Sequence, residues 1–441
     1  MALFLNHEHI ILLRSCHSRD SSPQRDDPSV PTSITLTPIY HVAANGLQEG
    51  KFSLISIPLS LYTTLIQPIL QVLLPYGQPD DGTFKELSER LSVDGQHGFL
   101  NISVTPIECS IVCHASWART IFSPAIAKLP REAQQQVQIS KDSYNVFSVS
   151  SASMEAGQRV MDLTAPLAMA GIPIFFITTY YSDFILVPSK DRRAVGQILL
   201  ARGFEFSEKD SAYVVPTPVH SRMPSEAGSP PAPPPSNVAE LQERTFSQLQ
   251  RRHVVPFTEP GLHLVQCSGK AAPRNNNGDY SSRPTSNGQN HTNGHFQKYP
   301  GSPTAAWLST VNPKLYVGLI TALVSVPRFL SVTLATEDSP SLLMDKTLLP
   351  LFGNSIAGDT EGDLVPIFLD LIDLPVESTG IVCGVAGKLV EGMRLEEEDR
   401  GASLGGSELS YLSTARAGAV ILSGEGSVWG LGTLLPLLEK R

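Results

Sequence analysis

The chain has 441 residues, 41% hydrophobic and 17% charged, with a formal net charge of −9. That length carries two to four units at roughly 150 residues each, and an acidic balance without a Lys/Arg-rich run excludes the electrostatic footprint of a nucleic-acid binder. The five cysteines (Cys16, Cys109, Cys113, Cys267 and Cys383) contain no CxxC pair, so neither a zinc ribbon nor a disulfide framework is signalled and a reducing compartment fits.

Residues 1–13 are mildly apolar but carry His7, Glu8 and His9, and no small-residue cleavage site follows. They are read as neither signal peptide nor membrane anchor. Residues 18–33 are polar and Pro-dotted, so the segment 1–33 is expected to be disordered. The longest apolar runs, such as 172–177, fall far short of the roughly 20 residues needed to span a bilayer. A cytoplasmic protein without membrane contact is the expectation.

From Ile34 the pattern is globular. Between residues 136 and 215 it alternates strand and helix. A strand at 146–150 is followed by helical spacing over 154–170 (Val160, Leu163, Leu167). Two apolar strands then flank Tyr180-Tyr181-Ser182 as a hairpin turn. An amphipathic helix over 190–202 ends at Gly203 as its cap, and a last strand starts at Phe204. The order βαββαβ is the ferredoxin-like motif.

Residues 216–250 open with a run of prolines and serines and read as a stiff linker. Residues 270–302 are rich in Asn, Ser, Gly and His and cannot bury a core, so they are expected to be a disordered insert. Before them, 262–267 alternates as a strand.

The two halves repeat each other. Phe99-Leu-Asn-Ile-Ser-Val aligns with Phe329-Leu-Ser-Val-Thr-Leu at an offset of 230. The hairpin from Thr178 aligns with the stretch from Ser413 at an offset of 235, and the helix around Ala165 with that around Ala386 at 221. The second copy therefore holds about 14 extra residues, placed at 393–407 as an acidic, Gly-rich insert. Order, spacing and register agree across several elements, which points to duplication rather than to convergent hairpin patterning.

The runs GIPIFFITTYYSDFILV (171–187) and STGIVCGVAGKL (378–389) are similar to the second and fourth modules of the CASTOR family. These are cytosolic, ACT-domain arginine sensors of the target-of-rapamycin (TOR) pathway, and the chain resembles a divergent, fungal-type member. The resemblance covers roughly 34–212 and 254–438. It implies an α+β fold of four ferredoxin-like (βαββαβ) ACT modules in two tandem pairs, at 34–135, 136–215, 251–362 and 363–441. It also implies a regulatory role without catalysis, in which an amino acid binds between modules two and four. The ligand positions carried over are Pro173 and Ile174 at a strand edge, Glu377, Ser378, Thr379, Gly380 and Ile381 at a helix start suited to a carboxylate, and Gly418 in the fourth hairpin. Pro173 lacks a hydroxyl and an N–H, and Gly418 lacks the carboxylate that would take a guanidinium. The implied protein partner is a GATOR-like complex, contacted through Tyr180, Tyr181 and Asp183. A homodimer is a further expectation.

Cys109 and Cys113 with His114 read as strand, loop and strand with structural thiols, and His291 and His295 as a solvated tract. Gly384, Gly387 and Gly392 form no phosphate loop, and no GxSxG, HExxH or kinase signature occurs. Neither cofactor nor metal is expected. Two other readings remain: a ligand-independent interaction protein, and a regulatory subunit of an amino-acid-metabolic enzyme.

Overall fold

The computed structural model describes residues 51–74, 98–149, 156–204, 235–270, 312–335, 338–375, 378–400 and 409–439. The segment 1–33, the prolines before residue 235, the insert beyond Lys270, the strand expected after Phe204, and the two histidines of the insert lie outside them.

The first unit runs β1 (Phe52–Pro58), α1 (Ile66–Leu73), β2 (Phe99–Val104), β3 (Glu108–His114), a helical stretch at 115–127, and β4 (Gln138–Ile139). The second runs β5 (Tyr144–Val149), α2 (Ala156–Met169), β6 (Phe175–Thr178), β7 (Asp183–Pro188) and α3 (Arg192–Ala201). Helix α4 (Val238–Arg251) precedes the third unit. That unit is β8 (Leu264–Gly269), α5 (Pro313–Val324), β9 (Leu330–Ala335), β10 (Ser341–Asp345) and β11 (Ile356–Gly358). The fourth is β12 (Leu364–Asp370), α6 (Ile381–Arg400), β13 (Ser410–Ser413), β14 (Ala417–Ser423) and α7 (Gly424–Leu438).

Four expectations are corrected. Strand β4 pairs with β1 at Ile55↔Ile139, so the first unit reaches past 135. The linker expected to run to 250 ends in α4. There Asn237 Oδ1 accepts from the Glu240 N–H at 2.9 Å, and Leu241, Thr245 and Leu249 form one buried stripe. The acidic insert at 393–407 begins inside α6, which continues to Arg400. Cys109 and Cys113 lie in one unbroken strand, β3, both fully buried.

In space each unit pairs across the halves as well as with its chain neighbour. Strand β2 lies antiparallel to β9, centred on Ile102↔Val332. Strand β6 meets β13 at Ile177↔Leu412. Bridges at Phe52↔Tyr144 and Leu264↔Leu364, together with the β8–β10 ladder, close a twelve-stranded, barrel-like ring to which β4 and β11 are added.

The ring's strands are buried on both faces, so their side chains alternate between two cores. Ile55 and Ile57 of β1 turn outward to α1 and α5, while Phe52 and Leu54 turn into the ring. Likewise Ile367 and Leu369 pack outward under α6 and α7, and Phe368 packs inward. The inner core includes Phe99 against Phe184 with centroids 4.9 Å apart, a pair worth about 0.5–1.5 kcal/mol beyond its burial.

A pseudo-two-fold axis relates the halves, and reciprocal hydrogen bonds show it. Phe176 N–H donates to Ser413 Oγ and Tyr411 N–H to Thr178 Oγ1, both at 3.0 Å. These are the same positions under the offset of 235. Tyr180 N–H donates to Ser341 Oγ at 2.9 Å, and its counterpart, Ala415 N–H, to Ser110 Oγ at 3.1 Å.

At the β2–β9 seam, buried Asn101 donates through Nδ2 to Ser331 Oγ (3.2 Å) and Thr333 Oγ1 (3.0 Å), and its Oδ1 accepts from Ser103 Oγ (2.8 Å). Asn101→Ala strands these buried hydroxyls and is expected to cost about 1–3 kcal/mol. Chemical denaturation checks this; an unchanged midpoint would show that the polar cluster does not hold the seam.

Candidate functional site

A cavity opens where the second and fourth units meet. Its walls come from α2 (Thr164, Ala168), the entry to β6 (Ile174, Phe175), the loop after β12 (Leu371, Leu374, Pro375), the start of α6 (Ser378, Gly380 to Cys383) and the β13–β14 hairpin (Tyr411, Ser413 to Ala415, Ala417). The cavity volume is about 60 Å³. One water needs on the order of 10–15 Å³, so the cavity suits a small ligand.

Helix α6 points its N-terminus at this space. Its first internal bond is Gly384 N–H to Gly380 O, 2.7 Å, so the N–H groups of Ile381, Val382 and Cys383 precede the ladder. Together with the helix dipole they favour an anion. Gly380 takes a positive φ of 83°, and a Cβ there would meet Leu241 Cδ1 and Thr245 Oγ1 of α4, each at 2.9 Å. Only glycine lets the chain enter α6 this close to α4. Ser378 is held from the same helix, its Oγ accepting from Gln248 Nε2 at 3.0 Å.

Across the cavity stands Tyr411, 1% exposed. Burial pushes its phenol far above the usual range, so it is neutral. Its hydroxyl has no hydrogen-bond partner among the described residues, and it sits against Gly418, where a Cβ would lie 2.6 Å from it. Gly418 is therefore the space that the tyrosine needs. Cys383 has its thiol pushed up to about 11 by burial, partly offset by Thr164. Among the described lining residues none is charged.

The hairpin side of the cavity is anchored to the first unit by Glu108, 2% exposed. Its carboxylate accepts from Thr414 Oγ1 (2.7 Å), the Arg416 N–H (2.6 Å) and Ser56 Oγ (2.5 Å). Burial raises its pKa above the usual 4.5, against the opposing pull of those donors.

Of the residues expected at the ligand, Ile174, Ser378, Gly380 and Ile381 line the cavity. Thr379 and Pro173 are neighbours of wall residues but not part of the wall, Gly418 lies behind Tyr411, and Glu377 lies outside the described residues. Sequence reasoning missed Tyr411 and Thr414. A signal existed: a tyrosine diagonal to a strand glycine commonly covers it.

Of the residues expected on the partner surface, Tyr180 and Tyr181 are 39% and 55% exposed, with rings edge to face at 4.8 Å. Asp183 is corrected: it is 1% exposed and ion-paired with Arg159, so it cannot share that surface. The thiols of Cys109 and Cys113 are pushed up by burial, the latter to about 12, as structural thiols should be. Among the described residues no metal-holding cluster occurs, and no helix is long and apolar enough to cross a membrane.

Residues 139–201 match the family model for the ACT domain. The second unit, with its β5–α2–β6–β7–α3 order, is thus an ACT domain. No curated protein matches the chain. Among solved structures, the regulatory subunit of aspartate kinase from Thermus thermophilus in its ligand-free form is 14% identical (TM-score 0.21), covering 36% of this chain and 99% of that one. Aspartate kinase from Synechocystis is 10% identical (TM-score 0.29), covering 91% of this chain and 57% of that one. A protein from Agrobacterium tumefaciens is 21% identical (TM-score 0.22), covering 36% and 87%.

The raised pKa of Glu108 has a definite sign for stability. The folded chain holds this proton more tightly than the unfolded chain does. The contribution is thus full below the usual carboxylate range and is lost as pH rises from about 4.5 through the folded value. Measured as the difference between wild type and Glu108→Gln, relative stability should fall with rising pH across that window. A flat difference would mean that the carboxylate is not desolvated.

Proposed function

We propose that this chain is a non-enzymatic regulatory protein of four ACT modules that binds a small, uncharged amino acid in the cavity between its second and fourth units. The observation that carries this is the cavity's combination of a helix N-terminus, the neutral Tyr411 hydroxyl and walls without charge. The first free N–H groups of α6 would take the α-carboxylate. Tyr411 and backbone carbonyls would take the ammonium group, and Ile174, Leu374 and Val382 the side chain. Arginine fits poorly, because a guanidinium buried without a counter-charge costs several kcal/mol and Gly418 supplies none. The ACT match at 139–201 supports the ligand-binding class.

A thermal-shift screen of the twenty amino acids at millimolar concentration is expected to raise the midpoint by about 2–4 °C for small neutral ligands. It should leave arginine without effect. Ala168→Leu, which fills the cavity, should abolish the shift. A shift by arginine alone would overturn the neutral-ligand reading, and none by any amino acid would favour a ligand-independent interaction protein.

We place partner binding, to a GATOR-like complex in TOR-type nutrient signalling, on Tyr180 and Tyr181. Two exposed aromatics on a tight turn make a rigid anchor of the hot-spot kind, and this turn is the counterpart of the one that lines the cavity. Tyr180→Ala with Tyr181→Ala should lower partner recovery in a pull-down by tenfold or more, without a change in melting midpoint. Unchanged recovery would remove the tyrosines from the interface.

A further inference from the structure

The pseudo-two-fold axis that relates the halves gives the cavity's hairpin a counterpart in the second unit, and there the equivalent of Gly418 carries a charge. Under the hairpin offset of 235, Gly418 corresponds to Asp183, Tyr411 to Phe176 and Ser413 to Thr178. The reciprocal bonds Phe176 N–H to Ser413 Oγ and Tyr411 N–H to Thr178 Oγ1 fix this correspondence in space. Strand pairing agrees: Asp183 lies opposite Thr178 as Gly418 lies opposite Ser413. A side chain at 418 would point at the cavity-lining Tyr411 and Leu371. The carboxylate of Asp183 therefore projects into the equivalent place at the start of α2.

There the carboxylate is 1% exposed, and its Oδ2 accepts from Arg159 Nε, on the first turn of α2. The Thr178 hydroxyl stands beside it, and Oδ1 has no hydrogen-bond partner among the described residues. A buried carboxylate with one oxygen still open, next to a helix start, is built to take a planar cation by charge-assisted bonds. Arg159 is only 20% exposed and lies in that place as a ligand would.

We propose that Asp183 is a guanidinium-binding carboxylate occupied in cis by Arg159, at the place that Gly418 leaves without a charge in the fourth unit. The asymmetry follows from one position. Gly418 brings no charge, so its place needs no cation; Asp183 brings a charge, and its cation is supplied from within. The inference does not depend on which ligand takes the open cavity, because the probe reads Asp183 alone.

The test is chemical rescue of the full chain. Arg159→Ala is titrated with methylguanidinium chloride at low millimolar concentration, with sodium chloride as the ionic-strength control. The expected result is a saturable rise of about 2–4 °C in melting midpoint with methylguanidinium only. The rise should be absent in wild type and in Arg159→Ala/Asp183→Asn. Should Arg159→Ala not accumulate folded, refolding with the probe gives the same reading. Recovery with methylguanidinium but not sodium chloride supports the proposal. A folded variant that ignores the probe, an equal response in the double variant, or no recovery would overturn it.

Discussion

An edge strand presents unpaired N–H and C=O groups that must be covered, and the covering of β2 by β9 organises this molecule. Six residues of each strand pair, centred on Ile102↔Val332. The two strands are copies of one another, so their antiparallel pairing creates a two-fold axis. With the first and third units joined this way, the second and fourth are brought edge to edge through β6 and β13. The four hairpins then fall at symmetric places around the ring.

The two seams are not equally tight, and the cavity follows from the difference. The β2–β9 seam is a full ladder, sealed by the Asn101 cluster. The β6–β13 seam has one backbone pair, Ile177↔Leu412, and hands the neighbouring N–H groups to the side chains of Ser413 and Thr178. A ladder leaves no room between strands; a seam bridged by side chains does. The cavity opens at this looser seam, between the start of α6 and the hairpin 413–417. Glu108, reaching from β3 of the first unit to Thr414 and Arg416, ties that hairpin to the tighter half. By exposure, Asp183 sits with the buried polar groups and the two tyrosines before it stand at the surface, although all three share one turn.

How much was legible in the sequence depended on the range of the interaction. The alternating apolar pattern, the hairpin at 180–182, helix α2 with Val160, Leu163 and Leu167, and the cap at Gly203 (φ +86°) are set by neighbours within a few residues, and all are found where expected. The offsets of 230 and 235 identified the strands related by the axis. The helix start at 378–381 was expected as a ligand position from the family resemblance, and its Ser378, Gly380 and Ile381 line the cavity. Helix α4 was hidden by the prolines before it, and the length of α6 by acidic residues that lie on a helix as easily as in a loop.

What the tertiary structure alone decided is which side chains face one another across the axis. Tyr411 is a wall of the cavity because it leans over Gly418 from the adjacent strand. Asp183 is interior because Arg159, 24 residues earlier, swings back from the first turn of α2. Leu241 and Thr245 of α4 make glycine obligatory at 380 from a distance of more than 130 residues. The sequence by itself determined the repetition of the halves and the order of elements in the second unit, since these rest on periodicity and local sterics. It did not determine that Asp183 is buried against Arg159 while Gly418 lies under Tyr411, because burial is a property of the assembled ring.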